Sequence, residues 1–229
     1  MTQSIEAYIC KLSRAIRPVQ EPIVKFGGAP IFMQAIDWPT CRHCLQKMVF
    51  LAQIPLQQPI HFSSEYEMAY VFMCPGKFDN KGWLECHTWL PFSGANAVIL
   101  QEHSDKSISS EIGSEYPDYA INLEQKLEPF IDTADYSIDE DIRSMVTEQT
   151  KIGGVPLWLQ ANETPLCTQC NKPMRFVAQF AAELDGGLPA DPTKWDKEKY
   201  KFFDFGDAGI GYLFICENEC KAAFLWQST

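Results

Sequence analysis

Basic side chains are scarce in this chain. Its 229 residues carry 19 lysines and arginines against 30 aspartates and glutamates, for a formal net charge of −11. That deficit argues against nucleic acid or an acidic membrane surface as a partner, because phosphate binding needs clustered Lys and Arg. Histidine is scarcer still. The four, His43, His61, His87 and His103, all lie in the first half or just after it. Acid–base chemistry therefore has few groups to use, and no Ser-His-Asp or paired-carboxylate arrangement can be named. Long apolar runs are missing too: none approaches the ~20 residues that span a bilayer. No small-residue cleavage site follows an apolar core near the N-terminus, so the chain reads as cytoplasmic.

Cysteine, by contrast, is plentiful, at nine residues. Disulfides are disfavoured in a reducing compartment, which leaves metal ligation or redox chemistry for spacing to decide. The acidic charge is concentrated. From Glu102 to Thr150 there are 13 acidic and 3 basic residues, a balance of −10. Its plain reading is a solvated surface; its functional reading is a surface for a basic partner.

The chain repeats itself. Lys25 to Gln53 aligns with Lys151 to Gln179 without a gap, at an offset of 126, and 13 of the 29 positions are identical. The shared residues are the Lys, both Gly, two Pro, a Gln-Ala pair, both Cys, and the Met, Phe, Ala and Gln that close the segment. The match resumes at Tyr70 to Cys74 and Tyr212 to Cys216, and again at Glu85-Cys86 and Glu219-Cys220. Each half then ends on an apolar run closed by Gln101 or Gln227. Fixed-offset similarity of this kind marks an internal duplication. The halves differ by an extra stretch around Leu184 to Asp204 in the second and a longer loop, Pro75 to Glu85, in the first.

Short apolar runs at Met48 to Ala52, Met174 to Ala178, Tyr70 to Met73 and Tyr212 to Ile215 read as strands. Tyr119, Ile121 and Leu123 alternate and predict a strand inside the acidic segment. Two helices are expected. Ile5, Tyr8, Ile9, Leu12 and Ile16 fall on one helical face at the N-terminus. Ser137 with Glu140 forms a capping-box pattern ahead of the apolar stripe Ile138, Ile142, Met145 and Val146, which predicts a helix over Ile138 to Gln149. The expected fold is α+β and mostly antiparallel, with two pseudo-symmetric halves. Its parts are an N-terminal helix (1–20), a first repeat (21–101), an acidic segment completing the fold (102–150) and a second repeat (151–229).

Each half offers Cys-x-x-Cys and then two more cysteines beyond a strand: Cys41, Cys44, Cys74 and Cys86 in the first, and Cys167, Cys170, Cys216 and Cys220 in the second. A Cys-x-x-Cys knuckle with a distant pair is a zinc pattern, and four thiolates make a closed, structural site. A thioredoxin-like dithiol would not explain the third and fourth cysteines. An iron–sulfur cluster shares the donor set. Reduced buried cysteines are the plain reading, and His43, His61 or His87 compete for a place in the first quartet. The short Cys216-x-x-x-Cys220 spacing makes the second quartet the better formed on sequence. Cys10 lies outside both sets and reads as an ordinary helix cysteine.

Other residues have plain readings. The tryptophans Trp38, Trp83, Trp89, Trp158, Trp195 and Trp226 read mostly as packing. Gly27-Gly28-Ala29-Pro30 lacks the Gly-Lys-Ser/Thr of a phosphate loop, and both Gly-Gly pairs suit a turn or a close backbone contact. The stretch Asp204 to Gly209 reads as a turn ahead of the Tyr212 strand.

The pattern Gly-Gly-x-Pro-x-x-x-Gln at 153–160, the stretch Met174 to Gln179 and Gly206-Asp207-Ala208-Gly209 resemble the bacterial YwqG-like family of unknown function. The cysteine motifs resemble programmed cell death protein 2 and its relatives, although Cys216-x-x-x-Cys220 is one residue shorter than their pattern. The eleven residues between Cys74 and Cys86 depart from it further. The resemblance covers both repeats, about half the chain. It implies a protein-binding role: a chaperone for a basic client, as in the eukaryotic relatives, or an immunity protein, as toxin-associated bacterial relatives suggest. With the closed four-cysteine sites and the acidic charge, the leading expectation is a non-enzymatic, zinc-stabilised protein that binds a basic partner. The competing expectations are a zinc-dependent enzyme, or a small-molecule binder in a groove between the halves lined by the Gly-Gly loops and Trp residues.

Overall fold

A computed structural model describes residues 3–79, 82–84, 86–114, 116–181, 205–206 and 208–229. The expected insert at 184–204, Trp195, and Glu85, Asp204 and Asp207 lie outside them. The strands run β1 (Ser4–Arg14), β2 (Lys25–Phe26), β3 (Ile31–Phe32), β4 (Val49–Pro55), β5 (Met68–Met73), β6 (Lys77–Asp79), β7 (Gly82–Leu84) and β8 (Asn96–Gln101). After them come β9 (Ile108–Ser109), β10 (Tyr119–Pro129), the one-turn helix α1 (Glu140–Arg143), β11 (Lys151–Gly153), β12 (Met174–Ala181), β13 (Ile210–Cys216) and β14 (Ala222–Gln227).

The expected α+β class is therefore corrected to nearly all-β. Ten strands form one antiparallel sheet, in the order β14-β13-β12-β11-β1-β10-β2-β4-β5-β8. The sheet curls until its two outer strands, β8 and β14, lie alongside each other, giving a nearly closed barrel. Two-stranded ribbons, β3-β9 and β6-β7, sit outside the sheet.

The sheet order reads the same from either edge, with β8, β5, β4 and β2 equivalent to β14, β13, β12 and β11. The central pair, β1 and β10, runs in register over eleven residues, from Ser4 opposite Pro129 to Arg14 opposite Tyr119. β1 leads the first repeat in sequence, yet it pairs with β11 of the second; β10 leads the second, yet it pairs with β2 of the first. The leading strands are exchanged, so the two repeats interlock in a single sheet. Even a bulge is duplicated: the register slips between Phe50 and Ala52 and again between Phe176 and Ala178.

Three clusters make the core. Phe26, Leu51, Ile54, Val71, Tyr119, Ile152, Val177, Phe180 and Leu213 pack in the central one. On the other side of the sheet each repeat builds its own lobe. One gathers Phe32, Met48, Phe50, Tyr70 and Phe72 around the first quartet; the other gathers Trp158, Met174, Tyr212 and Phe214 around the second. Strands β4, β5, β12 and β13 thus bury both faces, which is why they read as continuous apolar runs.

Both expected helices fail. The N-terminal segment, expected as a helix over 1–20, is the strand β1. Its period is two: Tyr8, Cys10 and Leu12 join the central core, Ala7 and Ile9 are buried on the other face, and Ile16 is fully exposed. Cys10 is accordingly a buried strand cysteine. The helix expected over Ile138 to Gln149 shrinks to the four residues of α1, capped by Asp139 instead of Ser137. Beyond it the backbone is claimed by tertiary partners. Thr147 N–H donates to the Glu128 carboxylate (2.9 Å), and the Thr147 and Gln149 carbonyls accept from Gln179 Nε2 (3.1 and 3.0 Å). A regular helix would use those groups internally. No helix is long and apolar enough to cross a membrane among the described residues.

Candidate metal centres

Each Cys-x-x-Cys sits in a tight turn ahead of the first strand of its lobe. Cys41 N–H bonds Gln46 O and Leu45 N–H bonds Cys41 O; Cys167 N–H bonds Lys172 O and Asn171 N–H bonds Cys167 O, all at 2.8–3.0 Å. Leu45 and Asn171, again 126 apart, take positive φ (60° and 56°) to close the turn. The third cysteine directly follows β5 (Cys74) or ends the equivalent β13 (Cys216). In the second half a short turn (Cys216 N–H to Lys221 O, 2.8 Å) supplies Cys220 directly. In the first half β6 and β7 occupy the longer loop and return the chain to Cys86.

Both quartets assemble. In each, the four Sγ atoms lie within 4.8 Å of one another and could hold a metal ion. Two equivalent contacts, Cys44 to Cys74 and Cys170 to Cys216, are both 3.4 Å. A disulfide would need about 2.05 Å. Four thiolates around one zinc, each about 2.3 Å from it, would lie about 3.8 Å apart, within the spread observed here. The sequence favoured the second quartet, but the first is equally well assembled and more buried. All four of its cysteines are buried, whereas Cys170 and Cys220 are partly exposed. No histidine replaces a cysteine: His43 is exposed and bonds the Ser93 carbonyl, and His61 bonds Ser64 Oγ.

Backbone donors single out the first cysteine of each knuckle. Burial pushes the Cys167 thiol up, but backbone N–H groups of Cys170 and Gln169, with the Cys216 and Cys170 thiols, outweigh it and hold it at about 7. Cys41 is lowered the same way, by Cys44 and His43 against its burial. Burial raises Cys74, and it raises Cys86 to about 11. Hydrogen bonding with Cys216, and then burial, raise Cys220 to about 12. One thiol per site is thus predisposed to be a thiolate, and the raised ones, Cys74, Cys86, Cys170 and Cys220, need a cation to lose their protons.

The duplicated polar residues, unassigned on sequence, brace the strap that leads to each knuckle. Gln53 Oε1 accepts from Ile31 N–H, and Gln179 Oε1 accepts from Leu157 N–H (both 2.9 Å). Tyr70 donates to Ile31 O (2.8 Å) and Tyr212 to Leu157 O (2.6 Å). Gln101 and Gln227 accept from Met33 and Leu159 N–H (2.8 and 3.0 Å). The two repeat lysines are buried as ion pairs: Lys25 with Asp118 (3.0 Å) and Lys151 with Glu128 (2.7 Å). Both carboxylates come from the acidic segment, one just before β10 and one near its end. The signal was visible as polar identities recurring beside apolar runs.

The Gly-Gly pairs serve these same contacts. Gly28 and Gly154 have positive φ, and a Cβ there would come within 2.6 Å of Asp118 or 2.2 Å of Glu128. Gly28 and Gly154 thus pack on the ion pairs, while Gly27 lies against Pro117 and Gly153 against Ile60 and the Glu6 carbonyl.

No protein-family model matches the chain. A stretch of 51 residues, 22% of the chain, is 39% identical to an uncharacterised protein, YpfL, of Salmonella typhimurium (strain LT2). The chain spans 12% of that protein's length, and its name carries no activity.

Proposed function

We propose that the protein is a non-enzymatic, zinc-stabilised binding module that engages a basic protein partner in the cytoplasm. The observation that carries the reading is the pair of equivalent quartets, each offering four thiols within 4.8 Å. Thiolate softness suits zinc, and four protein ligands leave no position for a substrate, which favours a structural metal over a catalytic one.

The partner half of the reading draws on charge. Ten of the 12 described acidic residues between Glu102 and Thr150 are exposed, among them Asp132, Asp135, Asp139, Glu140 and Asp141. Such a surface steers a basic partner and speeds association. The resemblance to the YwqG-like family and to programmed cell death protein 2 points the same way, towards a chaperone-like or toxin-immunity-like role.

The test is affinity capture from the protein's own host, with the metal-loaded chain as bait. A basic protein retained at low salt and released at roughly 0.5 M salt, where charges are screened beyond a few ångströms, supports the reading. The variant Asp139→Asn/Glu140→Gln/Asp141→Asn should retain less of it. Capture of no basic protein, or capture indifferent to salt and to these substitutions, overturns the partner assignment.

A further inference from the structure

The barrel stops just short of closure, and its seam has the chemistry of a peptide site. Among the described residues no backbone hydrogen bond joins β8 to β14. One side chain bridges them instead, Asn96 Nδ2 donating to Phe224 O (3.1 Å), and Trp226 Nε1 of β14 donates to Thr88 Oγ1, in the loop before β8 (3.0 Å). Past the Asn96 bridge the strands part around a cleft of about 590 Å³, between Val98–Leu100 on one side and the Cys220–Ala222 turn on the other.

Backbone alternation says what faces this cleft. Cys74 N–H bonds Ala95 O, so Ala95, Ala97 and Ile99 turn their backbone groups to β5. Asn96, Val98 and Leu100 turn theirs to the seam. An edge in this state is a template for an added strand. Asn96 Oδ1 is buried at the seam without a hydrogen-bond partner, and buried acceptors left unpaired are uncommon.

The lining is basic in an acidic molecule. Arg42, from the first knuckle, and Lys221, from the second cysteine turn, both line the cleft, and no Asp or Glu does. Both are held in place. Arg42 N–H bonds Gly94 O (3.0 Å), and its side chain lies so close over Gly94 that a Cβ there would come within 2.5 Å of Arg42 Cδ. Lys221 Nζ bonds Thr168 Oγ1 (3.0 Å). Phe92, partly exposed, and Tyr66 add aromatic surface.

We propose that this cleft binds an extended, carboxylate-bearing peptide segment by strand addition to β8, with the carboxylate between Arg42 and Lys221. Main-chain bonds to Val98 and Leu100 would supply affinity, and the cationic pair would select the anionic group. The proposal rests on the reading of the chain as a protein-binding module, and it names a site separate from the acidic face.

The test uses the metal-loaded full chain and fluorescein-labelled hexapeptide pools, read by anisotropy. One pool has free C-terminal carboxylates and no Asp or Glu. A second is amidated and carries one Glu. A third is amidated and uncharged. Binding of either carboxylate pool at least about tenfold tighter than the third supports the proposal, and the better of the two identifies the carboxylate's source. Arg42→Ala/Lys221→Ala should lose that preference. Val98→Pro removes an edge-facing N–H, at a half-buried position packed on the central core, and should weaken binding in protein whose circular dichroism and metal content are unchanged. Equal binding of all three pools, or none at millimolar peptide, overturns it. So does full affinity in either folded variant, or displacement of peptide by equimolar acetate, which would mean a small-anion site. Basic-protein capture is scored separately, so failure of one reading is distinguishable from failure of the other.

Discussion

Lys151 Nζ lies 2.7 Å from one carboxylate oxygen of Glu128 and 2.9 Å from the other, and neither side chain is exposed. Glu128 also accepts from the Thr147 and Val155 backbone N–H groups (2.9 and 3.2 Å). Removing one partner strands a buried charge. Lys151→Met should therefore destabilise the fold by roughly 3–5 kcal/mol in chemical denaturation. Lys151→Met/Glu128→Leu should recover only part of that loss: it removes the stranded charge but leaves the Thr147 and Val155 N–H groups without their acceptor.

The same lysine gives a pH signature. Burial pushes its ammonium down from 10.5 to about 8, against the pull of Glu128. Between those values the unfolded chain holds a proton that the folded chain does not. Stability should therefore rise with pH across this window, by up to about 3 kcal/mol relative to the Lys151→Met/Glu128→Leu variant. Equal pH slopes for the two proteins between pH 8 and 10 would contradict it.

Strand exchange makes the halves mutually dependent. Without β1, β11 loses its neighbour on one side; without β10, β2 does. Fragments 1–105 and 106–229 should co-purify when expressed together and fail to purify as folded monomers alone. Two independently folded monomeric fragments, seen by size-exclusion chromatography and circular dichroism, would refute the interlocked sheet.

Gly154 is a sharper probe than most glycines. Its φ of +72° is unfavourable for other residues, and a Cβ would come within 2.2 Å of Glu128 Oε2. Gly154→Ala should cost upwards of about 2 kcal/mol, more than positive φ alone would exact. In the Glu128→Ala background the added cost should shrink, which a double-mutant cycle would measure.

Metal loading should expel protons. In the first site Cys74 and Cys86 are raised, and in the second Cys170 and Cys220 are, so at neutral pH these thiols carry protons until a cation arrives. At least about two protons should leave per metal bound, and affinity should fall about a hundredfold per unit drop in pH. Calorimetry in buffers of different ionisation enthalpy counts them. Proton-neutral binding would contradict thiol ligation.

The duplication and both quartets were legible because they are local: identical residues at one offset, and cysteines in paired knuckles. The strands at Met48, Tyr70, Tyr119, Met174 and Tyr212 were legible for the same reason. The N-terminal strand was not, because Ile5, Tyr8, Ile9 and Leu12 satisfy a helical spacing by accident while an eleven-residue ladder with β10 decides the outcome. The helix after Ser137 was lost to bonds from Gln179 and Glu128, residues distant in sequence. The length between Cys74 and Cys86 argued against the first site only until β6 and β7 were seen to fold it back. The exchange of β1 and β10 had no sequence signal. Its nearest trace was a buried lysine in each repeat, awaiting a carboxylate from the acidic segment.

X-ray absorption on the purified protein, with total metal analysis, tests the two-site account most directly. The account predicts two zinc ions per chain, each with four sulfur neighbours at about 2.3 Å and no nitrogen or oxygen in the first coordination sphere. Fewer than two metals per chain in carefully reduced protein, or a mixed sulfur and nitrogen or oxygen shell, would contradict it.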